Sequence, residues 1–244
     1  MLRKKTEYFC AHLWEQGGRS RNQDSLALWQ LTRGGRNCLF GIVCDGIGGL
    51  KEGETASGYV ARQAASWFRT RGYRIKNKQK LQTAVRQLFF QLHEELKDYG
   101  EGKGIRLGTT VTFFLINNKR LFWGHAGDSR LYFFRKRSLK QLTRDDQGAD
   151  GALNRAIGAG EWRGLVTGWK RIREGDRVLL CTDGFYRGFT EEEIASCLNR
   201  EPVMESQAKR MLGQMGERKL AMGEKDNISA LYCGLVLRKK RRRA

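Results

Sequence analysis

The sequence predicts an α+β layered fold with largely antiparallel sheets. Three observations predict it. Short apolar runs, rich in β-branched and aromatic residues, recur along the chain, and turn residues bound most of them. Two longer segments carry apolar residues at helical spacing instead. The order is strands, two helices, many strands, helices and a final strand, which is not the regular alternation of a parallel βαβ sheet.

Taken in order, a first strand is expected at Ser25–Leu31 and a second at Leu39–Cys44. Glu54–Arg69 then places Ala56, Val60, Ala64 and Phe68 on one helical face. Gln79–Tyr99 does the same with Leu81, Val85, Leu88, Leu92 and Leu96. Strands follow at Val111–Ile116, Arg120–Trp123, Arg130–Phe134 and Arg177–Cys181, with Asn117-Asn118 as a hairpin turn between the first two. Thr190 and Glu193 form a capping-box pattern opening a short helix that carries Ile194 and Leu198. Another helix is expected over Pro202–Met215, and a last strand over Ile228–Leu237.

The chain has 244 residues and is 40% hydrophobic, enough to bury a sizeable core. It has one proline and no Gly/Ser-rich linker, so a single domain over 1–237 with a basic tail at 238–244 is the expected organisation. Lys and Arg exceed Asp and Glu by 46 to 26, a net charge of +20. Such a surface attracts phosphorylated proteins, nucleic acid or acidic lipid. The run Arg238–Arg243 reads as a solvated end or an anion-binding tail. The six cysteines form no CxxC pair, and Cys44, Cys181 and Cys233 lie in apolar runs as small core residues. No apolar stretch has the length of a membrane span, and no signal-type apolar region follows the basic N-terminus. Reduced thiols and a cytoplasmic protein are expected.

The informative pattern is where the acids sit. Asp45 closes an apolar run and precedes Gly46. Asp183 follows another and precedes Gly184. Asp128 follows Gly127, Asp226 precedes the last strand, and Asp24 precedes the first. A carboxylate at the end of a buried strand is costly unless its charge is compensated. A hard divalent cation compensates it, and oxygen ligands suit Mg²⁺ or Mn²⁺. Any one Asp-Gly is ordinarily a turn; the set carries the reading.

The motifs then become specific. Gly18-Arg19-x-x-Asn22-Gln23-Asp24 is followed by Val43-x-Asp45-Gly46-x-Gly48-Gly49, Gly108-Thr109-Thr110 and Ala126-Gly127-Asp128-Ser129-Arg130. Leu142-Thr143-x-Asp145, Gly175-Asp176, Cys181-Thr182-Asp183-Gly184 and Asp226-Asn227-Ile228-Ser229 complete the series. In this order they resemble the bacterial branch of the metal-dependent protein phosphatase 2C family over nearly the whole chain. The resemblance implies a four-layer α-β-β-α sandwich with two mainly antiparallel sheets. It implies hydrolysis of phosphoserine and phosphothreonine in proteins by a metal-activated water, with two Mn²⁺ or Mg²⁺ ions and a third, weaker one. Asp45 would bridge two ions, with the Gly46 carbonyl on one of them. Asp183 and Asp226 would bind the other, and Asp24 would act through coordinated water. Asp128 would hold the third ion, and Arg19 would bind the substrate phosphate. The partners implied are phosphorylated proteins, and a Ser/Thr kinase with its targets. Nucleic acid or acidic lipid contact would be secondary. The alternative is a pseudophosphatase that binds phosphorylated or anionic partners without turnover.

Five departures from the family pattern stand out, the largest of them a short flap. Gln23 stands where many members have Glu, and Ile47 where eukaryotic relatives carry a histidine. Asp146 and Arg187 also depart from the common residues. The flap after Thr143 is short, an Asp/Gly-rich stretch from Asp145 to Gly151, which predicts an open, less selective cleft. His12, His93 and His125 form no zinc pattern, and His93 and His125 read as structural. A cysteine-dependent phosphatase is set aside, on the reading that no cysteine is followed by arginine six positions on.

Overall fold

The structure, a computed structural model, describes residues 4–33, 36–47, 52–117, 119–148, 152–199 and 204–239. Two five-stranded sheets lie face to face. The first has the order β1-β10-β9-β6-β7, and the second β2-β3-β4-β5-β8; every pairing is antiparallel. Their strands are β1 (Lys4–Glu15), β2 (Asp24–Arg33), β3 (Arg36–Asp45), β4 (Val111–Asn117) and β5 (Arg120–Ala126), then β6 (Arg130–Arg135), β7 (Ser138–Gln141), β8 (Val166–Arg171), β9 (Arg177–Cys181) and β10 (Ile228–Lys239). Five α-helices cover the outer faces: α1 (Gly53–Thr70), α2 (Lys78–Lys103), α3 (Asp183–Tyr186), α4 (Glu191–Asn199) and α5 (Glu205–Ala221).

Three buried clusters separate the four layers. Phe40, Phe113 and Phe122 of the second sheet pack against Phe68 of α1 and Phe89 of α2. Leu39, Phe114, Leu180 and Leu231 fill the space between the sheets. Tyr132, Leu179 and Tyr232 of the first sheet meet Leu198 of α4 and Leu212 of α5. The α+β class and the four-layer sandwich are therefore those expected. No described helix is long and apolar enough to cross a membrane.

Local signals explain most elements. The Asn77 side chain accepts from the Lys80 amide at 2.9 Å and opens α2. Gly104, at φ 63°, closes it. Thr190 and Glu193 form the reciprocal capping box: Thr190 N donates to Glu193 Oε2 at 2.9 Å, and Glu193 N to Thr190 Oγ1 at 3.2 Å. The last helix begins at Glu205, and the expected start at Pro202 lies outside the described residues. So do Gly48, Gly49 and Asn118.

Three strands were not expected. β7 and β8 are edge strands, partly exposed along their length and carrying Lys140, Lys170 and Arg171. β1 buries Tyr8 between the sheets and Ala11 and Leu13 on the opposite, helix-covered face, but Lys, Glu and His interrupt the apolar run. Each is fixed by backbone pairing with a more apolar neighbour, which composition alone does not report.

Candidate active site

The strand ends bring the acids together. Asp24 opens β2 directly opposite Asp45, which closes β3. Asp183 starts α3 after β9, Asp226 precedes β10, and Asp128 lies between β5 and β6. These ends lie at one edge of the sandwich, around a cleft of about 390 Å³ lined by Arg19, Asp45, Gly46, Asp128, Asp183 and Asp226, with Ile47, Gln147, Leu153 and Arg187. Asp24 is not in the wall. It lies behind it, 2% exposed.

Backbone placement is tight. The Asp45 carbonyl accepts from Thr110 N and Thr109 Oγ1, both at 2.8 Å, and Asp45 N donates to Thr110 Oγ1 at 3.0 Å. Gly46 has no room for a side chain: a Cβ there would lie 2.5 Å from the Gly53 backbone. At Gly184 it would lie 2.1 Å from the Asn227 carbonyl oxygen. Asn227 ties the 16–24 loop down. Its Oδ1 accepts from Gln23 N, and its Nδ2 donates to the carbonyls of Gln16 and Arg21.

The electrostatics follow from crowding. Burial, then repulsion from Asp24, Asp183, Asp128 and Asp226, pushes the Asp45 carboxyl well above its usual range. Burial raises Asp24 to about 7, partly offset by the nearby hydroxyls of Ser229 and Thr182, the latter donating to Asp24 Oδ2 at 2.9 Å. Asp24 Oδ1 is buried without a hydrogen-bond partner. Asp128 rises to about 6 through burial and Asp183, against the pull of Arg187. Asp183 is also raised, again by burial against Arg187. Asp226 alone is lowered: burial pushes it up, but the bidentate bond from Arg19, 2.9 Å from Nε and from Nη2, outweighs that.

Two arginines thus act as counter-charges. Arg19 holds Asp226, while Arg187 lies 2.8 Å from Asp183 and 3.6 Å from Asp128. Among the described residues no three acids close around one point as they stand. The donor set still fits a divalent cation. It is all oxygen, it carries one orphaned buried carboxylate atom, and its members raise one another's pKa values.

Two residues in or behind the site, Gln147 and Glu54, were not singled out from sequence. Gln147 Nε2 donates to Asp128 Oδ2 at 2.6 Å, so the short flap supplies a side chain to the wall. Beyond it, Arg19 and Arg187 remain 48% and 54% exposed at the mouth. Glu54 accepts from Gln23 and Arg21, placing a carboxylate behind Gln23. Arg187 is four residues from Asp183, a helical spacing that the sequence does display.

One sequence reading needs correction. Cys181 and Arg187 do stand six positions apart, in Cys-x5-Arg spacing. Cys181 cannot serve as a nucleophile there. It is fully buried in β9, its thiol pKa is pushed up by burial, and Arg187 faces the acids. His125 is structural as expected, bonded to Thr112 Oγ1 at 2.8 Å and to the Arg144 carbonyl at 3.0 Å.

A family model described as protein phosphatase 2C matches residues 16–222. The serine/threonine protein phosphatase PstP of Mycobacterium tuberculosis is 29% identical over 215 residues, which cover 80% of this chain and 40% of that protein. The chain therefore spans less than half the length of the mycobacterial relatives it matches. The serine/threonine phosphatase stp of Listeria monocytogenes is 24% identical over 225 residues, covering 83% of this chain and 87% of the relative. Among solved structures, the serine/threonine phosphatase Stp1 of Staphylococcus aureus superposes with a TM-score of 0.82 at 21% identity, covering 96% of this chain and 97% of its own. PppA of Pseudomonas aeruginosa superposes at 0.78 and 22% identity, covering 96% and 100%. At such identities these structures share the fold.

Proposed function

The chain belongs to the protein phosphatase 2C family, and from that premise we propose that it hydrolyses phosphoserine and phosphothreonine in proteins with the help of divalent cations. The observation that carries the reading is the convergence of Asp45, Asp128, Asp183 and Asp226 on one cleft, with Asp24 behind them and Arg19 at the mouth.

In this reading Asp45, the Gly46 carbonyl, Asp183, Asp226 and Asp128 would hold the Mn²⁺ or Mg²⁺ ions, and Asp24 would act behind them through bound water. The cations supply charge neutralisation and acidify water for in-line attack on phosphorus. Arg19 exchanges Asp226 for the phosphoryl oxygens, which match its planar fork. Ile47 lines the cleft and offers no proton, so the leaving oxygen takes its proton from solvent. The buried walls and the Thr109–Thr110 bonds keep Asp45 in place throughout.

The test is hydrolysis of p-nitrophenyl phosphate and of a phosphothreonine peptide with Mn²⁺, Mg²⁺ or EDTA. Turnover is expected with either metal, and EDTA or Asp45→Asn should reduce it by about a hundredfold or more. Folded protein that turns over neither substrate with any metal would replace the proposal with a pseudophosphatase that binds phosphorylated partners.

A further inference from the structure

The fold places an unlike charge at each end of the sandwich. The acidic cleft lies at one edge of the sandwich. At the other, one strand length or about 17 Å away, three turns carry the basic residues. Lys119 and Arg120 lie where β4 passes to β5, Lys136 and Arg137 where β6 passes to β7, and Arg171 and Arg173 where β8 passes to β9. All six side chains are exposed, against one exposed acid on these turns, Glu174.

The three turns form one surface. Ile172 N donates to the Lys119 carbonyl at 2.9 Å, and Arg120 pairs with Arg171 across β5 and β8. Arg135 Nη2 donates to the Arg171 carbonyl at 2.8 Å. Lys136, Arg137 and Arg173 share the wall of a concavity of about 450 Å³ with Glu174. The acid best placed to balance the charge, Asp176, is buried and already held by Arg135 and by Arg173 N. Burial, then Lys140 and Arg135, pulls the Lys170 pKa below its usual value. β1 begins and β10 ends at the same edge, with Lys4 paired to Lys239.

Like charges gathered at this density repel one another unless an anionic partner relieves them. The chemistry of the surface narrows that partner. The cations are spread over three separate strand-end turns as a broad face, rather than lined up on one helix or one β-ribbon of the kind that enters a nucleic-acid groove. No large apolar or aromatic side chain is exposed on these turns, so there is no base-stacking platform. A planar array of anionic headgroups needs neither; it needs several cations at one end of the molecule and room for a phosphate between them.

We propose that this basic edge docks the protein on an anionic lipid bilayer, leaving the catalytic cleft facing away from the membrane. The concavity beside Lys136, Arg137 and Arg173 receives a lipid phosphate. Docking is electrostatic, with no inserted apolar residue, and it confines the enzyme to substrates at the membrane surface. The docking goes beyond the proposed hydrolysis and does not depend on it; only the restriction of substrates rests on that reading.

The test is sedimentation of the full chain with vesicles. Binding is expected with vesicles of about 30% phosphatidylglycerol in phosphatidylcholine, not with phosphatidylcholine alone, and it should be lost near ~0.5 M salt. Neutralising Lys136, Arg137 and Arg173 together (Lys136→Asn, Arg137→Asn, Arg173→Gln) should weaken binding about fivefold per charge. Asn suits the left-handed backbone at positions 136 and 137, at φ 50° and 65°, and a thermal melt checks the fold. A second variant, Lys119→Gln with Arg120→Gln and Arg171→Gln, should weaken binding similarly. Wild-type affinity in both variants, or equal binding to neutral vesicles, would overturn the proposal. So would tighter binding to duplex DNA than to anionic vesicles at the same salt, which would make the edge a nucleic-acid surface.

Discussion

Replacing Asp24 with Asn should stabilise the metal-free protein. Asp24 is 2% exposed, its Oδ2 accepts from Thr182, and its Oδ1 has no partner. Burial raises its pKa from 3.8 to about 7. At about 1.4 kcal/mol per pH unit, holding it ionised at pH 8 costs roughly 4 kcal/mol. The sign follows from linkage. The folded state holds the proton up to about pH 7, the unfolded state releases it near 3.8, so stability falls as pH rises across that window. Asn keeps the shape and an acceptor for Thr182 but carries no charge. In EDTA at pH 8, Asp24→Asn should melt about 10 °C higher, taking roughly 3 °C per kcal/mol for a chain of this size. At pH 4.5, where the folded-state group is protonated and the pH is close to the unfolded value, the gap should shrink to about 3 °C, roughly 1 kcal/mol. Adding Mn²⁺ should narrow the pH 8 gap, because only the wild type gains from it at this position. A variant less stable than wild type in EDTA at pH 8, or an advantage unchanged at pH 4.5, would refute the burial account of the Asp24 carboxyl.

Three further outcomes are expected. Arg187→Ala removes a competitor for Asp183 and Asp128. Because Arg187 is 54% exposed, its ion pair is weak, and Mn²⁺ affinity measured by calorimetry should rise about two- to fivefold; unchanged affinity would mean the arginine moves aside at no cost. Arg19→Ala should raise KM for a phosphopeptide about tenfold or more, while Arg19→Lys recovers only part of it, since an ammonium cannot reproduce the bidentate fork. Phe113 contacts the rings of Phe40, Phe68, Phe89 and Phe122 at 5.2–6.2 Å, so Phe113→Ala should cost about 3–5 kcal/mol in a denaturant titration. A loss under about 1 kcal/mol would show that the neighbouring rings close the gap.

The sequence by itself determined the layered α+β architecture, because β3, β4 and β9 are continuous apolar runs and α1 and α2 carry apolar stripes. It also marked the acids, because a carboxylate at the end of a buried strand is conspicuous beside Gly46 or Gly184. Tertiary structure decided the rest. The edge strands β7 and β8 exist through the backbone of their neighbours, and β1 through its pairing with β10 over its whole length. Arg19 and Asp226 are 207 positions apart in the chain, and only their meeting lowers the Asp226 pKa while the other acids rise. Arg187 could be placed near Asp183 by spacing, but its reach to Asp128 required the two loops to adjoin. The net charge was plain from composition, whereas its division into an acidic cleft and a basic edge was not. Coulomb interactions depend on distance through space, and the antiparallel sandwich alone sets which strand ends share an edge.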